Sequence, residues 1–74
     1  MQTININRLK GKIVERGMTV SELAERIGVD KATLYRKLSN EGNSLLVREA
    51  NTIAEQLGLT SDEAMSIFFP RYVA

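Results

Sequence analysis

The chain has 74 residues, of which 43% are hydrophobic and 26% charged, so we expect one small domain that is too apolar to be disordered. It contains no cysteine and no histidine, which excludes a disulfide framework, a thiolate metal site and the usual general base near neutral pH. The formal net charge is only +1, no apolar run approaches the ~20 residues of a membrane span, and the polar first residues do not resemble a signal peptide.

Apolar spacing and glycine breakers predict that helices alone build this domain. The first helix is predicted over residues 7–16, with Asn5 or Asn7 as its N-cap. Gly11 weakens the middle of this helix, and we expect close packing against a neighbouring helix to require it. The basic residues predicted to face outward are Lys10, Lys12 and Arg16.

The second and third helices are predicted to follow one another closely. Thr19 and Glu22 have the spacing of a capping box and open the second helix, which Gly28 ends. Asp30 is predicted to cap a third helix over residues 31–39.

Two further helices are predicted in the remainder. A polar loop over residues 40–44 precedes a fourth helix over residues 47–57. A second capping box starts at Thr60, and the fifth helix must end ahead of Pro70. The predicted fold is therefore an all-α, compact five-helix bundle that forms a single domain over residues 1–74.

The charge is distributed unevenly along the chain. Residues 1–48 carry nine lysines and arginines against five acids, a net +4, whereas residues 49–74 carry one arginine against four acids, a net −3. This asymmetry is typical of a protein with one side that faces phosphates, although a chain this short can show it by chance.

Residues 19–38 have the residue types of a helix-turn-helix. Ala24 is small where another helix crosses, Gly28 permits the positive φ of a sharp turn, and Val29 fills the corner. Leu34 attaches the second helix of the motif to the core. In such a motif the second helix enters the major groove of DNA.

With this spacing, residues 18–38 resemble the Cro/repressor helix-turn-helix family of phage and bacterial regulators, and the resemblance extends over about residues 6–69. It implies a lambda repressor-like DNA-binding domain. It further implies a sequence-specific transcriptional regulator, a small phage or prophage Cro-like repressor that inserts helix three into the major groove of an operator. Two residues depart from the family pattern: Val20 stands where glutamine is frequent, and Lys37 stands where an apolar residue is frequent.

The resemblance also implies which side chains of helix three read bases. Arginine and lysine donate to guanine, and the methyl groups of alanine and threonine contact the thymine methyl group. The tyrosine can bond a phosphate or stack on a sugar edge. The candidate base contacts are Lys31, Ala32, Thr33, Tyr35 and Arg36. The alternatives are solvated charge for Lys31 and Arg36 and a partly buried packing role for Tyr35.

A second group of residues is implied to contact the DNA backbone. It comprises side chains at the start of helix two and in the loop after helix three. Asn40 and Asn43 have an alternative interpretation as turn residues without a ligand. The candidate backbone contacts are Thr19, Ser21, Lys37, Asn40, Asn43 and Ser44, and Arg48 is a weaker candidate.

The C-terminal end offers a candidate dimer surface. Phe68 and Phe69 are adjacent, so both cannot point into one small core. The predicted surface comprises Phe69, Tyr72 and Val73. The alternative is that this tail folds back onto helix one and completes the core of the monomer.

The expected partners are double-stranded operator DNA and a second copy of the chain, in a homodimer that can form on DNA. No membrane association, small-molecule ligand, cofactor or metal is expected, and the expected location is the bacterial cytoplasm, at the nucleoid. The alternative function is a protein-interaction module, such as an antitoxin or antirepressor with the same fold. An enzyme is rejected because no catalytic constellation or phosphate-binding glycine loop is present.

Overall fold

Five helices account for most of the residues 4–39 and 45–70 that the computed structural model describes. The prediction of an all-α five-helix fold is confirmed, since these residues contain no strand. The first helix begins and ends one residue earlier than predicted, because the Asn5 side chain accepts a hydrogen bond from the Arg8 amide at 3.1 Å and so caps it. The helices are α1 (Ile6–Glu15), α2 (Val20–Ile27), α3 (Lys31–Ser39), α4 (Val47–Leu57) and α5 (Ser61–Phe68).

One apolar stripe from each helix meets the others in a single core. The α2 helix packs against α1, α3 and α4, and α1 also packs against α5. Each fully buried leucine or isoleucine contributes about 1.5–3 kcal/mol relative to an exposed one, so this core holds α3 firmly against α2. The fully buried side chains are Leu9, Ile13, Leu23, Leu34, Leu45, Ile53, Leu57 and Ile67.

The described helices are all short. The longest, α4, has 11 residues, and within residues 4–39 and 45–70 no helix has the length and apolarity to cross a bilayer. In the same two segments, no three acidic, histidine or cysteine side chains lie close enough together to hold a metal ion.

Two predictions about α1 are wrong. A Cβ on Gly11 would meet no atom within 4 Å, so no close helix packing requires glycine there. Lys12 does not point away from the protein, because it forms an ion pair with Glu63 of α5. Arg16 is exposed as predicted, and its Nε donates to the Leu57 carbonyl oxygen at 2.6 Å.

Candidate nucleic-acid interface

The α2 helix and the turn after it have well-defined ends. The Thr19 hydroxyl accepts from the Glu22 amide at 3.1 Å, and the Glu22 carboxylate accepts from the Thr19 amide at 3.3 Å, which confirms the predicted capping box. Gly28 has a φ of 78°, a conformation that costs other residues strain. The Val29 amide then donates back to the Ala24 carbonyl at 3.0 Å, which closes the turn and directs the chain into α3.

The α3 helix is capped at its N-terminus by Asp30 and packs against α2. The Asp30 carboxylate accepts from the Ala32 amide at 3.0 Å, so the predicted N-cap is confirmed. Leu34 and Leu38 are 1% and 3% exposed and hold α3 against the core. The opposite side of α3 is consequently presented to solvent.

Four of the five candidate base contacts lie exposed on this helix. Tyr35 is 49% exposed, so about half of its surface is covered by the protein and about half is open to solvent. Thr33 is half-buried and is the least exposed residue of the set. The exposed candidates are Lys31, Ala32, Tyr35 and Arg36.

One further residue of this surface was missed by the sequence-based prediction. Ser39 is exposed and lies four residues after Tyr35 and three after Arg36, so the three side chains share one face of α3. That spacing is visible in the sequence and is the signal that identifies Ser39. Together with Ala32, these residues form a mostly polar stripe along the outer face of α3. Below, "the α3 stripe" means Ala32, Tyr35, Arg36 and Ser39.

The candidate backbone contacts are less uniform. The Thr19 hydroxyl is engaged in the capping box, and Ser21 is half-buried in the first turn of α2. Arg48 is exposed in the first turn of α4. Three candidates lie outside the described residues: Asn40, Asn43 and Ser44.

Lys37 differs from the other basic residues of α3. Its Nζ lies 2.8 Å from both carboxylate oxygens of Glu49, and the two side chains are only 18% and 14% exposed. The ammonium group is therefore bonded within the protein and is not open to solvent like Lys31 or Arg36. The pair explains how a lysine occupies a position where an apolar residue is frequent in the family that the sequence resembles.

Glu49 was not singled out in the sequence, although it is the third residue of α4. At that position a carboxylate can cap its own helix, and its oxygen does accept from the Leu46 amide at 2.8 Å. Burial alone would raise the pKa of Glu49, but the hydrogen bonds from Lys37 and from the Leu46 amide outweigh it and lower the pKa below its ordinary value. Glu49 is therefore a charged group held from two sides.

An apolar groove lies between α4 and α5. The structure buries Phe68, which is 4% exposed, and leaves Phe69 37% exposed, as their adjacency predicted. Phe69 lines the groove together with Val47 and Met65, which are 57% and 40% exposed. The groove has a volume of about 230 Å³. Tyr72 and Val73, the other residues of the predicted dimer surface, lie outside the described residues.

Comparison with known protein families identifies the domain type. Residues 8–69 match the family described as the Cro/C1-type HTH DNA-binding domain, a non-enzymatic family, and the whole turn between α2 and α3 lies inside the match. Searches of curated proteins and of solved structures gave no match.

Proposed function

The chain belongs to the family of Cro/C1-type helix-turn-helix DNA-binding domains, and from that premise we propose that it is a sequence-specific transcriptional regulator. It acts as a small phage or prophage Cro-like repressor that inserts α3 into the major groove of an operator and blocks the polymerase there. The observation that carries the proposal is the exposed polar α3 stripe on a helix whose other side is buried against α2. A DNA partner also implies a location in the bacterial cytoplasm, at the nucleoid.

The chemistry of the α3 stripe suits the edges of base pairs. The Arg36 guanidinium can donate two parallel hydrogen bonds to guanine O6 and N7, which discriminates against other bases by about 1–3 kcal/mol. The Ala32 methyl group fits a thymine methyl group, and the Tyr35 and Ser39 hydroxyls can each donate or accept a hydrogen bond. Lys31 lies one turn before Tyr35 and extends the donor set.

Contacts to the DNA backbone complete the proposed interface. Amides at the start of α2, with Ser21 beside them, can bind a phosphate because the helix dipole favours an anion at that end. We propose the same role for Asn40, Asn43 and Ser44. Lys37 is left out of this set, since a phosphate would have to displace the Glu49 carboxylate to reach its ammonium group.

We also propose that the regulator binds its operator as a two-fold homodimer. A single α3 helix covers half a site, and two helices about 34 Å apart read a palindrome. The proposed contact is the predicted surface of Phe69, Tyr72 and Val73, supported by the exposed apolar side chains of the groove between α4 and α5. A dimer this small can assemble on the DNA itself.

The test of the proposed function is a titration of ¹⁵N-labelled protein with random-sequence duplex DNA at low and at physiological salt, followed by NMR. We expect amide shifts concentrated on residues 19–21 and 31–39. The shifts should weaken as salt is added, because each phosphate contact contributes ~0.9 to the salt slope, the steepness with which log affinity falls with log salt concentration. A protein whose spectrum does not change at low salt would contradict DNA binding at this surface. It would favour the alternative of a protein-interaction module, whose partner would then be sought at the groove.

A further inference from the structure

The C-terminal half of α3 is joined to α4 by a largely buried ion pair. Both oxygens of the Glu49 carboxylate accept from the Lys37 ammonium at 2.8 Å. The bond spans 12 positions of the chain and bridges two helices that follow one another in the sequence. It lies directly beside the α3 stripe, because Lys37 follows Arg36.

The acceptor end of this bond is itself held in place. The Glu49 carboxylate also accepts from the Leu46 amide at 2.8 Å, so it is anchored to the first turn of α4. The packing of α3, in contrast, is chiefly against α2. Leu34 and Leu38 hold the helix against the core, but apolar contacts alone are non-directional. A hydrogen-bonded ion pair specifies direction, and it therefore restricts rotation of α3 about its own axis.

We propose that the Lys37–Glu49 ion pair positions the α3 helix for base reading and so determines how sharply the protein discriminates its operator from other DNA. The inference rests on the proposed function. Lys37 and Glu49 are positioning residues in this account, and neither contacts DNA. It also reassigns Lys37, which the sequence placed among the backbone contacts.

The geometry of base reading explains why a small rotation matters. Helix Cα atoms lie ~2.3 Å from the axis, so a rotation of about 20° moves each by about 0.8 Å, and the tips of long side chains move further. A functional constellation must be held within ~0.5 Å of its productive geometry. Bidentate hydrogen bonds from Arg36 would be weakened by such a shift, whereas attraction to phosphates depends far less on angle.

Glu49→Gln is the informative variant. The glutamine oxygen can still accept from the Leu46 amide, so the cap remains while the charge that holds Lys37 is removed. First, a preferred duplex is selected with the wild-type protein from a randomised pool. The affinities of each variant for that duplex and for a random duplex are then measured at several salt concentrations.

We expect Glu49→Gln to lower the ratio of preferred to random affinity by about fivefold to tenfold. We expect its affinity for the random duplex to stay equal or to increase, because an acid is lost and the Lys37 charge is released. A variant that is only destabilised would not bind the random duplex more tightly while losing its preference for the selected duplex. The affinity for the random duplex and the affinity ratio therefore separate a positioning role from a merely structural one.

Glu63→Gln is the matched control. Glu63 is likewise the third residue of its helix, accepts from the Thr60 amide at 2.9 Å and pairs with a lysine of another helix, Lys12. That pair joins α1 to α5 and does not touch α3. Its loss should reduce stability and leave the affinity ratio unchanged.

Lys37→Met is the second variant, which keeps the inference testable if Glu49→Gln does not fold. It removes the same ion pair without altering Glu49. It should lower the affinity ratio in the same way, while its salt slope stays equal to that of the wild-type protein. A slope that decreases by ~0.9 would identify Lys37 as a phosphate contact and overturn the inference.

Two other outcomes are decisive. If the wild-type protein prefers its selected duplex and Glu49→Gln prefers it equally strongly, this inference is overturned and the proposed function stays intact. Wild-type protein that binds neither duplex at low salt would overturn the proposed function and this inference with it.

Discussion

The Arg16 side chain closes the last turn of α4, since its Nε donates to the Leu57 carbonyl oxygen at 2.6 Å. The carbonyl groups at a helix C-terminus carry partial negative charge and lack partners within the helix, so a guanidinium there is favourable. Gly58 follows in the left-handed conformation and ends the helix. The contact joins the end of α1 to the end of α4, two elements that are distant in the chain.

Replacing Arg16 by methionine should lower the free energy of unfolding by about 1 kcal/mol, because the aliphatic contacts remain while the charged hydrogen bond is lost. Urea denaturation measures this. The control is Arg8→Met, which removes the same charge from an exposed position of α1. Equal losses in both variants would show that the contact with Leu57 contributes no stability.

Stability should depend on pH through Glu63. Hydrogen bonds from Lys12 and from the Thr60 amide lower the pKa of Glu63 from 4.5 to about 2. The unfolded chain therefore takes up this proton at higher pH than the folded protein does, so the stabilisation is complete above pH 4.5 and is lost as the pH falls towards about 2. In Glu63→Gln this contribution is absent. Urea denaturation across this range should show that the wild-type protein loses its stability advantage over Glu63→Gln as the pH falls from 4.5 towards about 2. An advantage that does not depend on pH would contradict the assignment.

Alanine should stabilise the protein at Gly11 and destabilise it at Gly28. Gly11 lies in α1 with no atom within 4 Å of an added Cβ, so Gly11→Ala should raise the free energy of unfolding by about 0.5–1 kcal/mol. Gly28 has a φ of 78°, so Gly28→Ala should lower it by about 1–2 kcal/mol. Thermal unfolding of the two variants measures both effects. A loss of stability in Gly11→Ala would mean that close packing does require the glycine.

Arg36→Ala should reduce discrimination between preferred and random DNA by about fivefold or more, because a bidentate contact to guanine is worth about 1–3 kcal/mol. Arg48→Ala removes the same charge outside α3 and should leave the affinity ratio unchanged. Fluorescence anisotropy with the two duplexes measures both variants. If Arg36→Ala lowers both affinities by one common factor, Arg36 contacts phosphate and does not read a base.

Phe69→Ser should weaken self-association, since it removes an aromatic side chain from the proposed dimer surface. Operator occupancy should then rise less steeply with protein concentration. Sedimentation equilibrium with and without DNA measures this. Val14→Ser is the control, because Val14 is 73% exposed and does not line the groove between α4 and α5. An unchanged association constant in Phe69→Ser would place the dimer contact elsewhere.

The helices and their ends were predictable because the signals that set them are local. The Thr19 and Thr60 capping boxes, the Asp30 cap and the stop at Gly28 each involve residues within a few positions of one another. The exposure of candidate base contacts is local in the same way, whereas their assignment as base contacts comes from the family resemblance and stays a prediction. The exposure of Tyr35 and Arg36 follows from the burial of Leu34 and Leu38 at helical spacing.

The sequence alone thus determined the five-helix fold, the helix-turn-helix and the exposed face of α3. Only the tertiary structure decided the roles of three cations predicted to face solvent or phosphate: Lys12 pairs with Glu63, Arg16 bonds the Leu57 carbonyl, and Lys37 pairs with Glu49. Long flexible side chains reach groups on other helices, and those groups become neighbours only when the core packs. Apolar periodicity places a residue on a face of its helix but does not specify which helix lies opposite, so no local pattern encodes these three partners.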